Sequence, residues 1–289
     1  MAQTLDKVYI EEYRQIVHHL TQQKENRLRR FVTEVSSGGY RYNFDRLGAV
    51  ELSQKTGRRQ DTPYTDEQFS RRVAIPQVLD NALSLESEDE AMMIINPRSE
   101  YAKAQAAAVN RAYDDIIIKA ALGTALDGDG NVHPLPASQT IGDGSNPISF
   151  QMVADALALF LEKDVAPDEQ KIMVIGPKQV SALLRDEKAI SADYVSRQYL
   201  MNLSASGIVD NWMGFTWVMS TRLLAPAAGE LNCFAFTPSA IGLEVVEDLF
   251  VRIGEVPSKS YMWQSYVKIT AGAVRIDEDL VVKLHVADN

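Results

Sequence analysis

The chain has 289 residues, of which 46% are hydrophobic and 24% charged, a composition typical of a globular protein with one or two domains. No apolar run reaches the roughly 18 residues that a transmembrane helix requires, and the acidic N-terminus is unlike a signal peptide, so we expect a cytosolic protein without membrane partners. The single cysteine, Cys233, excludes an intrachain disulfide and a cysteine-rich metal site, and we interpret it as a core residue.

The net charge of −10 is unevenly distributed. Residues 1–72 contain 13 Lys and Arg against 10 Asp and Glu, whereas the remaining 217 residues contain 16 against 29. The basic first quarter fits either a nucleic-acid arm or contacts with acidic neighbouring subunits.

Residues 4–31 are predicted to form an amphipathic helix that ends in a basic run. Its apolar face can bury on its own domain or on another chain. His18 and His19 are adjacent and point to different faces, which argues against a shared metal. The apolar face comprises Val8, Tyr9, Tyr13, Ile16, Val17 and Leu20.

A β-hairpin is predicted between Ser36 and Gln77, with limbs at 49–55 and 69–75 and a tip around 56–66. From residue 56 to residue 72 four arginines outnumber the large hydrophobic residues, so we predict that the loop cannot form a core of its own. It is either a flexible surface loop or a loop that is held in place by contacts with a molecule outside the subunit. The candidate intersubunit contacts are Arg58, Arg59, Phe69, Arg71 and Arg72.

The longest helical pattern runs from Asn96 to Gly123, about 40 Å at roughly 1.5 Å per residue. Asn96 is a suitable cap, Pro97 suits the first helical position, and Gly123 can end the helix in the left-handed conformation. The alanine-rich middle would let a sheet approach closely. The predicted buried stripe comprises Ala102, Ala106, Val109, Tyr113, Ile116, Ile117 and Ala120.

Residues 124–237 are predicted to form a compact α/β unit. Asp127, Asp129 and Asn131 imitate a calcium loop, but the required glycine and glutamate positions hold other residues, so we expect ordinary turn chemistry. Ser149 should cap one helix and Pro177 should open another, with strands at 171–175, 215–219 and 233–236. The alternating strands of the last fifty residues are expected to pack against the long helix.

No nucleophile elbow, zinc motif or nucleotide-binding loop occurs, so we expect no catalytic residue, cofactor or metal. The informative features are extended segments, and ordering them costs conformational entropy that contacts must offset. A multi-subunit assembly would provide such contacts.

Six segments, in order, resemble the major capsid proteins of tailed bacteriophages with the Hong Kong 97-like fold. The long helix with its YDD sequence and the final run of residues 271–284 are the most specific. The other segments are 44–48, 58–73, 175–184 and 210–223.

The resemblance implies an α+β fold in four parts. Residues 1–35 would form an N-terminal arm and 36–80 an extended β-hairpin loop. Residues 81–123 and 238–289 would form a peripheral domain with a spine helix, and 124–237 an axial domain.

The resemblance further implies pentamers and hexamers that close into an icosahedral shell around double-stranded DNA, assembled in the bacterial cytoplasm and retained in the virion. A scaffolding protein and a portal would be partners during assembly, and a decoration protein is compatible with this scheme. We expect a separate scaffolding protein and no cross-link through Lys55, the lysine of the hairpin. The alternatives are an encapsulin-like protein compartment and a cytosolic α/β enzyme of small size.

Overall fold

The structure is a computed structural model that describes residues 23–48, 50, 52, 54, 57, 69–85, 98–166, 168–185, 199, 201–203 and 206–288. The predicted N-terminal apolar face, most of the hairpin tip, and the caps Asn96 and Pro97 lie outside the described residues. Three sheets and three α-helices of eight or more residues organise the described chain.

A four-stranded sheet has the order β1 (Thr33–Ser36), β12 (Ile241–Val256), β13 (Met262–Arg275) and β4 (Gln77–Leu85). Strand β1 is parallel to β12, and the other neighbours are antiparallel. β4 is therefore an edge strand, and its nine residues pair with β13 without interruption from Gln77 to Leu85.

A six-stranded sheet has the order β7 (Thr140–Ile141), β14 (Val281–Ala287), β11 (Glu230–Phe236), β8 (Ile172–Ile175), β10 (Phe215–Met219) and β9 (Ile208–Trp212). The third sheet has the order β2 (Tyr42–Leu47), β3 (Phe69–Ala74), β5 (Ala125–Asp127) and β6 (Val132–His133).

The long helix α1 (Arg98–Leu122) lies on the four-stranded sheet, principally against β13, as predicted. Tyr113 and Ile117 are buried as expected, but Ala102 and Ala106 are exposed because the sheet covers another side of the first half of α1. Gly123 is not left-handed. A Cβ there would lie 2.5 Å from the carbonyl oxygen of Lys119, so the position requires glycine for a close approach.

Helices α2 (Phe150–Glu162) and α3 (Pro177–Arg185) pack around the six-stranded sheet over a core that includes Trp217 and Phe160. The Ser149 hydroxyl accepts a hydrogen bond from the Met152 backbone N–H at 3.4 Å, which confirms the predicted N-cap. Pro177 opens α3, where its missing N–H leaves no intrahelical bond unmade. Local sequence signals therefore located both helices.

Strand pairing differs from the sequence prediction in three places. β14 pairs with β11 in the six-stranded sheet, whereas the prediction grouped residues 281–287 with the strands that precede them. β4 belongs to the four-stranded sheet, although its first four residues were assigned to the hairpin loop. The strand that pairs with residues 69–74 is β2, at 42–47, whereas the predicted limb at 49–55 lies mostly outside the described residues. Pairing depends on partners distant in sequence, so a local pattern could not locate it.

Candidate intersubunit surfaces

The base of the β2–β3 hairpin is anchored on the body of the subunit. Phe44 is buried in a small cluster with Ala74, Ala125 and Val274. Its ring lies so close to Gly242 of β12 that a Cβ at Gly242 would be 2.4 Å from it. The hairpin therefore has a small apolar anchor at its base, which it shares with the body and does not form on its own.

The two faces of the hairpin have different surroundings. Successive side chains of a strand point to opposite faces, so Arg71 and Arg72 diverge although they are neighbours in sequence. Arg72 is buried at 4% exposure, and its guanidinium donates to the Glu278 carboxylate at 2.8 Å. Arg71 is half exposed and donates to Asp45, across the hairpin, at 2.6 Å. Only one of these arginines remains accessible.

The predicted contact residues thus divide into three groups. Arg58 and Arg59 lie outside the described residues. Phe69 is 68% exposed and pairs across the hairpin with Leu47, which is 56% exposed, so the outer face carries an apolar pair beside Arg71. Arg72, by contrast, faces its own chain. The structure brings Phe69 and Arg71 together on one accessible face and separates Arg72 from them.

A second exposed apolar surface lies on the outer half of β12. The strand is buried from Ile241 to Val245 and then becomes exposed, with register shifts between Val245 and Phe250. Sequence reasoning missed this surface because the strand alternates throughout, and alternation does not reveal which part another element covers. Its exposed apolar residues are Leu249, Phe250, Val251 and Ile253.

The segment before β1 is fixed to the side of α1 by a buried carboxylate. Asp114 accepts hydrogen bonds from the backbone N–H groups of Arg27 and Leu28, both at 3.1 Å, and from the side chain of Gln23. Burial raises the pKa of Asp114, and these hydrogen bonds oppose that shift. Leu28 then enters the core beneath α1. Asp114 is the middle residue of YDD, but the sequence did not reveal this anchoring role.

A cluster of charges joins the same segment to β12 at the register shift. Arg29 pairs with Glu34 and with Asp248, each at 2.7 Å, and its guanidinium lies 4.5 Å from the centre of the Tyr113 ring. The Tyr113 hydroxyl donates to Asp248 at 2.7 Å. The segment before β1, helix α1 and strand β12 therefore meet at this cluster.

The end of α1 is held by Arg275, which is fully buried. Its guanidinium donates to the carbonyl oxygens of Ala121 at 3.0 Å, Gly123 at 2.6 Å and His133 at 2.8 Å. The carbonyls of Ala121 and Gly123 lie at the C-terminal end of α1, where carbonyls lack intrahelical partners and a cation is favourable at the negative end of the helix dipole, whereas His133 belongs to β6. Burial lowers the pKa of Arg275.

The histidines and acidic turns of the described chain have structural partners. Asp127 accepts from the backbone N–H groups of Asp129 at 3.0 Å and Asn131 at 2.8 Å, which confirms the predicted turn chemistry. His133 and His285 contact Asp127 and Glu230 respectively. Within the described ranges, no three His, Cys, Asp or Glu residues are placed to hold a metal. None of the described helices combines the length and apolar composition needed to span a bilayer.

Solved capsid structures share this architecture over nearly the whole chain. The capsid of cyanophage P-SCSP1u aligns with a TM-score of 0.73 at 16% identity, covering 100% of this chain and 96% of that one. The capsid of Ralstonia phage GP4 aligns with a TM-score of 0.74 at 11% identity, covering 100% and 98%. The SrpI encapsulin of Synechococcus elongatus PCC 7942 aligns with a TM-score of 0.61 at 9% identity, covering 92% and 91%.

At these identities the likeness concerns the fold alone, and it defines the α+β Hong Kong 97-like capsid fold. The model of the phage capsid protein family matches residues 5–288, and the chain belongs to that family. It is therefore a capsid shell protein of the virion. A search of curated proteins found no match.

Proposed function

We propose that this chain is the major capsid protein of a tailed phage and that it assembles as pentamers and hexamers into the icosahedral head shell. The shell encloses double-stranded DNA without sequence-specific binding. A scaffolding protein and a portal take part in assembly, and the role of the chain is structural and not catalytic.

The observation that carries the proposal is the presence of exposed apolar surfaces on a subunit whose core residues are already buried within the chain. Trp217 and Ile117 are fully buried in separate cores, whereas Phe69 and Ile253 are more than half exposed. Apolar surface that the subunit leaves uncovered favours association with other molecules. Repeated contacts between identical copies would cover both surfaces.

The charge of the protein is compatible with a DNA-filled shell. A net charge of −10 repels phosphates, so the wall would not adsorb the genome as it enters. This repulsion supports enclosure and argues against binding along the DNA.

Size-exclusion chromatography followed by negative-stain electron microscopy tests the assembly. We expect icosahedral particles, and we expect particles recovered from phage-producing cells to protect DNA from nuclease. A stable monomer under all conditions would contradict the proposal. Particles that contain cargo protein and no DNA would instead favour the encapsulin-like alternative, with which the chain shares its fold.

Arg71→Glu tests the outer face of the hairpin. The substitution places two carboxylates at the Asp45 contact, on the half-exposed side of the strand pair. We expect shell yield to fall by about tenfold, equivalent to about 1.4 kcal/mol, while circular dichroism of the subunit is preserved. An equal loss of secondary structure would contradict an intersubunit role.

The charge-swapped variant Asp45→Arg with Arg71→Glu is the matched control. It restores the attraction across the hairpin but reverses the charges presented to a neighbour. Continued failure to assemble would support direct contact between Arg71 and another copy. Full recovery would show that Arg71 acts only within its own hairpin.

A further inference from the structure

Two arginines from opposite strands of the hairpin converge on one carboxylate. Arg46 of β2 donates to Glu278 at 3.0 Å, and Arg72 of β3 donates to it at 2.8 and 3.2 Å. Arg46 also donates to the carbonyl oxygen of Ile276 at 2.6 Å. Both strands of the hairpin are thereby connected to the segment 276–278.

Glu278 is the carboxylate best placed to serve both arginines. Its side chain is 15% exposed, whereas Asp277 is 43% exposed and lies 3.7 Å from Arg46. Asp279 is engaged by Lys163 at 2.9 Å and by Gln139 at 3.3 Å. Arg72 contacts no other carboxylate among the described residues.

Glu278 lies in the segment that connects two of the sheets. Residues 276–280 connect β13 of the four-stranded sheet to β14 of the six-stranded sheet. Arg275, the last residue of β13, donates hydrogen bonds to carbonyl oxygens at the end of α1. The hairpin is therefore connected to a point where both sheets and the long helix meet.

We propose that Glu278 is a positioning residue that sets the direction of the β2–β3 hairpin relative to the body, so that its outer face meets a neighbouring copy. This inference rests on the proposed function. Phe44, seated against Gly242, provides one fixed point at the base of the hairpin. The pairing of β3 with β5 at Arg72 and Val73 holds the base as well. The contact of Arg46 and Arg72 with Glu278 then fixes the direction of the strand pair beyond that base.

Loss of the carboxylate would have a direct electrostatic consequence. Arg72 is buried and would be left without a counter-charge, near Arg46 and Arg275. An unpaired buried charge is costly, and the least costly response is movement that exposes the guanidinium to water. The hairpin would then turn away from the body while both cores remain intact.

Spin-label distances within one chain test the proposal. Labels at Leu47→Cys on the hairpin and Leu161→Cys on α2 are both at exposed positions. The native Cys233 is fully buried, and burial raises the pKa of its thiol to about 12, so it does not compete for the label. Labelled chains are diluted into unlabelled chains, so that only the distance within one chain is measured.

We expect a narrow distance distribution for the parent chain and one about twofold wider for Glu278→Gln, because the buried arginine loses its partner. Asp277→Asn is the matched control and should leave the distribution narrow. Should Glu278→Gln fail to fold, Arg46→Gln removes one arm of the cluster at a partly exposed site and should widen the distribution in the same direction. An unchanged distribution in the folded variants would overturn the proposal.

Assembly provides the second measurement. Shell yield should fall by about tenfold in Glu278→Gln and remain near the parent value in Asp277→Asn. A wider distribution with normal shell yield would overturn the positioning role. If the parent chain forms no shell, the proposed function fails, while the distances still decide whether Glu278 holds the hairpin.

Discussion

The two halves of strand β12 have opposite surroundings within one continuous element. Ile241, near the start, is fully buried, whereas Ile253, twelve residues later, is 57% exposed. The inner half belongs to the core beneath α1, and the outer half extends past the register shifts at Val245–Phe250. The comparison shows that an identical residue on the same strand can stabilise the subunit at one end and be available to a neighbour at the other.

The coverage by α1 explains the difference. Val267 of β13 is 6% exposed, but its cross-strand neighbour Val251 on β12 is 48% exposed. Side chains paired across a sheet share a face, so α1 covers this face at β13 and leaves β12 open. The outer half of β12 thus lacks a covering layer in the described chain.

The largest effect is expected from Ile241→Ser. The substitution removes a fully buried side chain and introduces a hydroxyl into the core, which should cost about 3–5 kcal/mol of unfolding free energy. Urea denaturation followed by circular dichroism measures it. A loss below about 1 kcal/mol would mean that the inner half is not a critical part of the core.

A smaller loss is expected from Arg275→Lys, at the residue that pairs with Ile241 across the sheet. Lysine cannot span the three carbonyl oxygens that Arg275 binds, so about 2–3 kcal/mol should be lost, because buried acceptors would be left unpaired. The same denaturation series measures it. Arg252→Lys, at an exposed position of the outer half, should change stability by less than about 0.5 kcal/mol.

The next largest effect is expected from acidification, which should weaken the contact of the hairpin with Glu278. Burial alone would raise the pKa of Glu278, but hydrogen bonds from Arg72 and Arg46 outweigh it and lower the pKa below the usual 4.5. A carboxylate with a lowered pKa in the folded state contributes stability above its unfolded pKa and loses it as the pH falls through the folded pKa.

Unfolding free energy measured from pH 6 downward should therefore fall below about pH 4.5, and the fall should be shallower in Glu278→Gln. Identical pH profiles for the two proteins would show that this cluster does not contribute to acid sensitivity.

Ile253→Ser should have the smallest effect on the subunit. Stability should change by no more than about 0.5 kcal/mol, because the side chain is already largely in water. Shell yield should nevertheless fall, since the exposed apolar surface is lost at every copy. Normal assembly of this variant would indicate that the outer half of β12 is not a contact surface, whereas unfolding would indicate that it belongs to the core.

Features that depend on local sequence were predictable. The capping position of Ser149, the start of a helix at Pro177 and the strand Phe215–Met219 all follow from signals within a few residues. The long helix was found for the same reason, because its period persists over 25 residues.

Features that depend on distant partners were not predictable. Arg71 and Arg72 look equivalent in sequence, but only the position of Glu278, more than 200 residues away, determines which one is buried. The sequence likewise does not show that the Asp114 carboxylate of α1 accepts hydrogen bonds from the backbone N–H groups of Arg27 and Leu28. Both cases concern polar groups whose burial is compensated by tertiary contacts.

The free edge of β4 has a practical consequence for handling the protein. Nine residues in uninterrupted register present backbone donors and acceptors along the sheet margin, and no described strand covers that margin. Such margins join readily to one another, which favours irregular polymers at high concentration. The net charge of −10 opposes this joining by long-range repulsion, so dilute, low-salt buffers should keep unassembled subunits dispersed.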